Sequence, residues 1–347
     1  MIKYQLHLIL IMLIFSACEK APISQPVIIP SAQQGGMFVL NEGGYNSGNA
    51  SFSYYSYANK TMTNDVFYSV NKRHLGDVLQ SMTLVDNTAY LVLNNSKKVE
   101  VIDATTFVSK GVINGFVSPR YFLQINTTKA YVSDLYDNNI AVVNLSNNTI
   151  NSKISCPGAT EQMLLVYNRV YVTNTLQKSI YVIDPLIDKV IDSIQLSYGP
   201  NSLVLDKNNN LWVLCSGNKT KGYNAAIYKI DLATNKIINS KSNINPIGIF
   251  GATKLIANGN KDKLYWLNGD VQSISVNDTM LNVHSFIPAI KSNFYGLGVD
   301  PITGEVFVSD ALDFVQQAAI YKYKSTGELE GVFKCGVITN GFLFDYR

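Results

Sequence analysis

The sequence predicts an all-β chain, a seven-bladed β-propeller of four-stranded antiparallel blades whose ring is closed by a C-terminal strand joining the first blade. Three observations lead there. An aromatic-Val core returns seven times at blade-sized intervals, a second strand follows each return, and the chain ends in a strand-like segment with no blade after it.

The seven cores are Met37-Phe38-Val39-Leu40, Ala89-Tyr90-Leu91-Val92, Ala130-Tyr131-Val132-Ser133, Val170-Tyr171-Val172-Thr173, Leu211-Trp212-Val213-Leu214, Leu264-Tyr265-Trp266-Leu267 and Val306-Phe307-Val308-Ser309. Their aromatic residues lie 52, 41, 40, 41, 53 and 42 positions apart, close to the roughly 40–50 residues of a four-stranded blade. Dividing the long fifth and sixth repeats differently would give six or eight blades.

The second strands begin at Phe52, Val99, Ile140, Ile180, Ile227, Val271 and Ile320. Alternation and β-branched content mark them as strands, and endings such as Asp103-Ala104-Thr105-Thr106 supply the turns. Third strands are expected over residues 189–194 and 236–240, and preceding strands over 202–206 and 296–300. Residues 337–346 read as an inner strand, and the first blade, which starts directly at Phe38, lacks one. Joining the two removes the open sheet edges that invite aggregation.

Composition agrees with this and excludes other classes. Hydrophobic residues make up 47% of the 347 and charged residues 15%, with 21 Tyr, which suits half-buried strands and argues against disorder. The formal charge of +3 and the scattered placing of pairs such as Lys72-Arg73 and Lys97-Lys98 offer no basic field for nucleic acid. Beyond Cys18 there are three cysteines, an odd number. Cys156 and Cys335 occupy the same place in distant repeats, beyond the roughly 7 Å reach of a disulfide, so free buried thiols are expected.

At the N-terminus, Lys3 precedes an apolar run over residues 6–15, and Phe15-Ser16-Ala17-Cys18 follows. The run is too short for the roughly 20 residues that span a bilayer. The segment resembles a bacterial lipobox, with Phe15 where Leu is commoner. That resemblance implies a lipoprotein signal peptide over 1–17, cleavage before Cys18 and lipidation of its thiol. Stable anchoring takes more than one acyl chain. Residues 18–35 hold three prolines and read as a semi-extended tether, so the propeller should occupy 36–347.

Function is expected on the face where loops from successive blades converge. Its longest segments are 41–49, 215–224 and 310–317. The loops leading into the first strands add Lys72-Arg73-His74, Pro119-Arg120-Tyr121, Thr160-Glu161-Gln162, Pro200-Asn201-Ser202, Asn293-Phe294-Tyr295 and Thr339-Asn340. This face is rich in Asn, Gln, Tyr and Phe, a composition suited to stacking on a large flat ligand while exchanging neutral hydrogen bonds. For any single Asn a turn role is the simpler reading. Signals for catalysis or metal are poor: His74 and His284 stand alone beyond the leader, and no ligand spacing accompanies them. Glu42, Asp134, Glu161 and Asp310 could meet near the channel mouth, although strand-end and turn roles are commoner for such carboxylates.

The pattern Tyr-Val-x-Asn followed by Ile-x-Val-Ile-Asp, strictest over residues 170–184, resembles the YVTN-type, YncE-like propellers, and the similarity spans roughly residues 36–346. With the lipobox, the tether and the opening Phe38-Val39-Leu40-Asn41-Glu42-Gly43, the chain resembles a group of Bacteroidota outer-membrane lipoproteins. Some of these capture cobalamin and pass it to a TonB-dependent transporter.

The resemblance implies a corrinoid or other large ligand on the propeller face and a TonB-dependent receptor as partner; the residues themselves lead to the expectation of no nucleic acid, no cofactor and no enzymatic activity. It also implies outer-membrane anchoring through Cys18, with display on the cell surface or towards the periplasm. Candidate contacts are Tyr45, Arg120, Tyr121, Gln162, Tyr223, Tyr295 and Phe314. Two other classes stay open, an envelope scaffold binding glycan or protein and a lactonase-like or quinoprotein-like enzyme.

Overall fold

The computed structural model describes residues 35–347 except 248–249 and 290–291. The expected signal peptide over 1–17, the anchor Cys18 and all but the last residue of the 18–35 tether lie outside the described residues.

Among the described residues strands dominate, and they form six sheets. Five are four-stranded antiparallel sheets, spanning residues 79–114, 119–155, 160–195, 200–244 and 253–287. The sixth has eight strands, four of them within 294–337, then Thr339–Asp345, then three within 36–63. Its two halves meet through a single parallel residue pair, Leu297 with Gly341. Thr339–Asp345 runs antiparallel along the whole of Gly36–Asn41.

Burial grades across each sheet in a way the sequence explains. The strands carrying the aromatic-Val cores are buried along nearly their full length, as in Lys129–Asp134 and Leu211–Cys215. Outer strands such as Thr149–Ser155 and Lys189–Gln195 expose most of their residues. The seven aromatics of the repeat are all buried, none more than 6% exposed, and burying each contributes about 2–3 kcal/mol.

Tyrosine suits these places because its body is apolar and its hydroxyl reaches the neighbouring sheet. Tyr131 donates to Asp188, and Tyr171 donates to Asn235 Oδ1 at 2.9 Å. Tyr90 stacks on Phe122 of the next sheet at 4.1 Å and 10°. Repeated contacts of this kind lock sheet to sheet through apolar clusters. Cys156, Cys215 and Cys335 are free and buried, and burial pushes the Cys156 and Cys335 thiols up to about 12.

One element is absent from the sequence reading. An outermost strand of the eight-stranded sheet, Thr61–Thr63, is only three residues long, and a short helix, Val66–Asn71, follows it. Val66 and Phe67 are buried in the cluster that holds Phe38, Phe52 and Phe107. Asn71 fixes the helix by donating to Phe107 O at 3.0 Å and accepting from Ser109 N at 2.8 Å. The next segment, expected on the ligand face, is drawn away with it. Arg73 pairs with Glu100 Oε1 at 2.5 Å, and His74 stacks on Tyr68 at 4.9 Å.

Candidate functional site

Seven strands share one irregularity. In Leu79–Val85, Pro119–Gln124, Thr160–Val166, Pro200–Leu205, Thr253–Ala257, Phe294–Val299 and Thr339–Asp345, the pairing register slips by one residue just after the first position. The second residue of each strand lies within that slip: Gln80, Arg120, Glu161, Asn201, Lys254, Tyr295 and Asn340. A β-bulge twists the strand locally and re-aims side chains out of the ladder. Here six of the seven second residues, all but Asn340, line a single cavity of about 610 Å³, within the range of small-molecule sites.

Neighbouring spokes are cross-linked. Arg120 donates through Nε to Glu161 Oε2 at 2.9 Å and through Nη1 to Gln80 Oε1. Asn201 donates to Ala252 O at 2.9 Å, and Gln162 accepts from Leu203 N at 3.1 Å. Asn340 donates to Glu42 Oε1 at 2.7 Å and also reaches Leu79 O and Gln80 O, each at 3.1 Å. Tyr295 donates to Glu42 Oε2 at 2.9 Å. Glu42 and Glu161, the two carboxylates of the cavity, are therefore both held by donors from the inner strands around it.

These neighbours set the titration of the site. Burial works against the charge of Arg120, but the Glu161 carboxylate beside it prevails and holds the guanidinium above its ordinary value. Tyr121 is pushed up to about 12, by burial first and by Glu161 second. Tyr295 is raised further, by burial and then by Glu42. Lys254 moves the other way: burial lowers it, and the charges of Glu42 and Glu161 offset this only in part.

Part of the wall is aromatic. Phe250, Tyr295 and Phe314 meet in tilted and edge-on contacts, with ring centroids 5.3, 5.8 and 6.5 Å apart. Several positions around the cavity hold left-handed backbone that non-glycine residues rarely adopt, among them Val78 (φ 58), Lys254 (φ 63) and Phe314 (φ 63). Such conformations cost roughly 1–3 kcal/mol each and gather at ligand sites.

The loops above are pinned by the polar residue that ends the repeat core. Asn174 donates to Pro157 O at 2.8 Å, and Asp134 accepts from Ser118 N at 2.8 Å. Asn268 accepts from Ile247 N at 2.8 Å and donates to Asn245 O at 3.0 Å. Asp310 accepts from Asn293 N at 2.9 Å. The Asn of the Tyr-Val-x-Asn pattern thus fixes the loop leading into the inner strand of its own sheet. Of the four candidate carboxylates, Glu42 and Glu161 line the cavity, while Asp134 and Asp310 serve as these pins. Among the described residues no cluster of three metal-ligating side chains occurs.

Of the candidate contacts, the structure gathers Arg120, Tyr121, Gln162, Tyr295 and Phe314 in the cavity wall. Tyr45 stands apart in a turn, 71% exposed. Tyr223 lies flat on Tyr198 at 4.9 Å and 7°, with Lys178 Nζ 4.7 Å over its ring, beside a separate depression. Gln80, Lys254 and Phe250 complete the site but are missing from the sequence reading. For Gln80 and Lys254 the usable signal is position: each stands second in its inner strand, as Arg120, Glu161 and Asn201 do.

A family model described as a domain of unknown function, DUF5074, matches residues 35–331. No curated protein sequence matches the chain. Among solved structures, a quinoprotein alcohol dehydrogenase-like protein from Bacteroides thetaiotaomicron aligns with a TM-score of 0.70 at 17% identity, over 91% of this chain and 79% of that one. A putative 6-phosphogluconolactonase from Bacteroides uniformis aligns with a TM-score of 0.66 at 12% identity, over 90% of this chain and 100% of that one. Another putative 6-phosphogluconolactonase, from Bacteroides fragilis, gives 0.66 at 11% identity, over 91% and 99%. At these identities the likeness is one of fold, and the fold is propeller-like.

Proposed function

The chain belongs to the DUF5074 family, and from that premise we propose that it is a ligand-binding propeller of the cell envelope, with the cavity ringed by bulge residues as its ligand site. Counting the eight-stranded sheet as two blades gives seven, since its halves share only the Leu297–Gly341 pair. Closure of the ring between the chain ends is supported by Thr339–Asp345, which contacts both Phe294–Val299 and Leu79–Val85.

The observation that carries the reading is the convergence of Gln80, Arg120, Glu161, Asn201, Lys254 and Tyr295 on one cavity. Neutral amides and phenols lie there against an aromatic wall, the surface that a broad, amide-fringed ring requires. A corrinoid is the ligand class that the family resemblance adds. It would rest one face or edge in the cavity, with the remainder standing above the mouth. The lipobox-like Cys18 and the tether would hold the propeller at the outer membrane, beside a TonB-dependent receptor. Binding is favoured over turnover because Glu42 and Glu161, the carboxylates placed to act as a base, are both already held by hydrogen bonds.

Calorimetric titration with cyanocobalamin tests the reading. Saturable one-site binding that Phe314→Ala weakens at least tenfold supports it. Silence at micromolar protein removes the corrinoid.

A further inference from the structure

We infer that Lys254 anchors an oxyanion, a phosphate or carboxylate borne by the ligand, so that the cavity prefers a ligand carrying an anionic group over an otherwise similar one without it. This rests on the cavity being the ligand site.

The other charged groups of the cavity are spoken for. Arg120 is joined to Glu161, and the two oxygens of Glu42 accept from the neutral donors Tyr295 and Asn340. Among the described residues, Lys254 has no hydrogen-bond or ion-pair partner for its ammonium. Its neighbours in the series of bulge residues, Asn201 and Tyr295, carry no charge, whereas Arg120 has Glu161 next to it.

The Lys254 side chain is partly buried, and the charges of Glu42 and Glu161 act on it without a direct contact, so its donors are left for an incoming group. Lys254 also takes a left-handed backbone, φ 63, inside its strand, a cost kept at a ligand cavity. The ammonium gains a direct partner when one arrives with the ligand. Phe250, Tyr295 and Phe314 then supply the apolar surface for the rest of that molecule, and the donor at Lys254 gives it one polar end. An oxyanion presents several lone pairs to the three N–H donors of an ammonium, which neutral amide groups match less well.

A matched pair of probes separates charge from shape. 1-Anilinonaphthalene-8-sulfonate and N-phenyl-1-naphthylamine share an aromatic skeleton, and only the first carries an anionic group. In fluorescence titrations the wild-type protein should bind the sulfonate at least tenfold more tightly than the neutral probe. Lys254→Met should abolish that preference by weakening the sulfonate at least tenfold relative to the neutral probe, and Phe314→Ala should weaken both. Methionine keeps the chain length and meets the same backbone strain as lysine; Lys254→Gln is the second variant, and thermal midpoints confirm that both fold.

Absence of sulfonate binding, absence of a preference in the wild type, or a preference that survives Lys254→Met overturns the inference. Cyanocobalamin calorimetry on the same proteins keeps the two levels distinct. Probe selectivity without corrinoid binding retains the anchor and removes the corrinoid, whereas corrinoid binding that is indifferent to Lys254→Met, with no probe preference, does the reverse.

Discussion

Tyr295 and Glu42, 253 positions apart in sequence, meet at 2.9 Å, the phenol donating to Oε2 while Asn340 donates to Oε1. Glu42, directly after Gly36–Asn41, thereby ties the first described strand to Phe294–Val299 and Thr339–Asp345 at the cavity. Tyr295→Phe removes one of these two donors and keeps the ring. A hydrogen bond to a charged group is worth roughly 1.5–3 kcal/mol when fully buried, and about 1–2 kcal/mol is expected at this half-buried carboxylate. Urea unfolding measures it, and an unchanged midpoint would show that Glu42 does not depend on the phenol.

Asn268 is 1% exposed and holds both Ile247 N and Asn245 O. Asn268→Ala leaves two backbone groups without that partner, for an expected loss of about 2 kcal/mol. Because Ile247 lines the cavity, the effect should also appear locally, as faster hydrogen exchange at the Ile247 amide than at strand amides of the other sheets. Uniformly faster exchange would assign Asn268 to global stability alone.

The titration of Lys254 gives a pH dependence with a definite sign. Burial lowers its pKa from the ordinary 10.5, so between the lowered value and 10.5 the unfolded chain binds more protons than the folded one. Stability contributed by this group therefore rises with pH through that window, and the desolvation handicap is greatest below it. Lys254→Met should be more stable than wild type at pH 7, with the gap narrowing as pH approaches 10.5. Denaturant midpoints of both proteins across this range check it, and a constant gap would contradict it.

The blades are legible in the sequence because each needs a buried aromatic in the same strand position, and Tyr131 or Trp212 cannot be replaced by a polar residue without opening a sheet-to-sheet contact. Turn chemistry is equally visible: Asp103 accepts from the amides of Thr105 and Thr106 as its spacing suggests. The site is only half legible. Arg120, Tyr121 and Gln162 follow recognisable leading loops. Lys254 follows a segment with no such pattern, and its exit from the ladder depends on a one-residue register slip that side-chain identity does not encode. Tyr223 misleads for a different reason, since an exposed-looking loop tyrosine finds a partner in Tyr198 across the loop base. The helix at Val66–Asn71 escapes because six residues are too few to show a helical period.

A crystal structure of the protein with cyanocobalamin tests the central claim most directly. The corrin is expected against the Phe250, Tyr295 and Phe314 wall, with amide groups of the ligand bonded to Gln80 and Asn201 and its phosphate at the Lys254 ammonium. A ligand seated instead at Tyr198 and Tyr223, or crystals that remain free of it at saturating concentration, would contradict the claim.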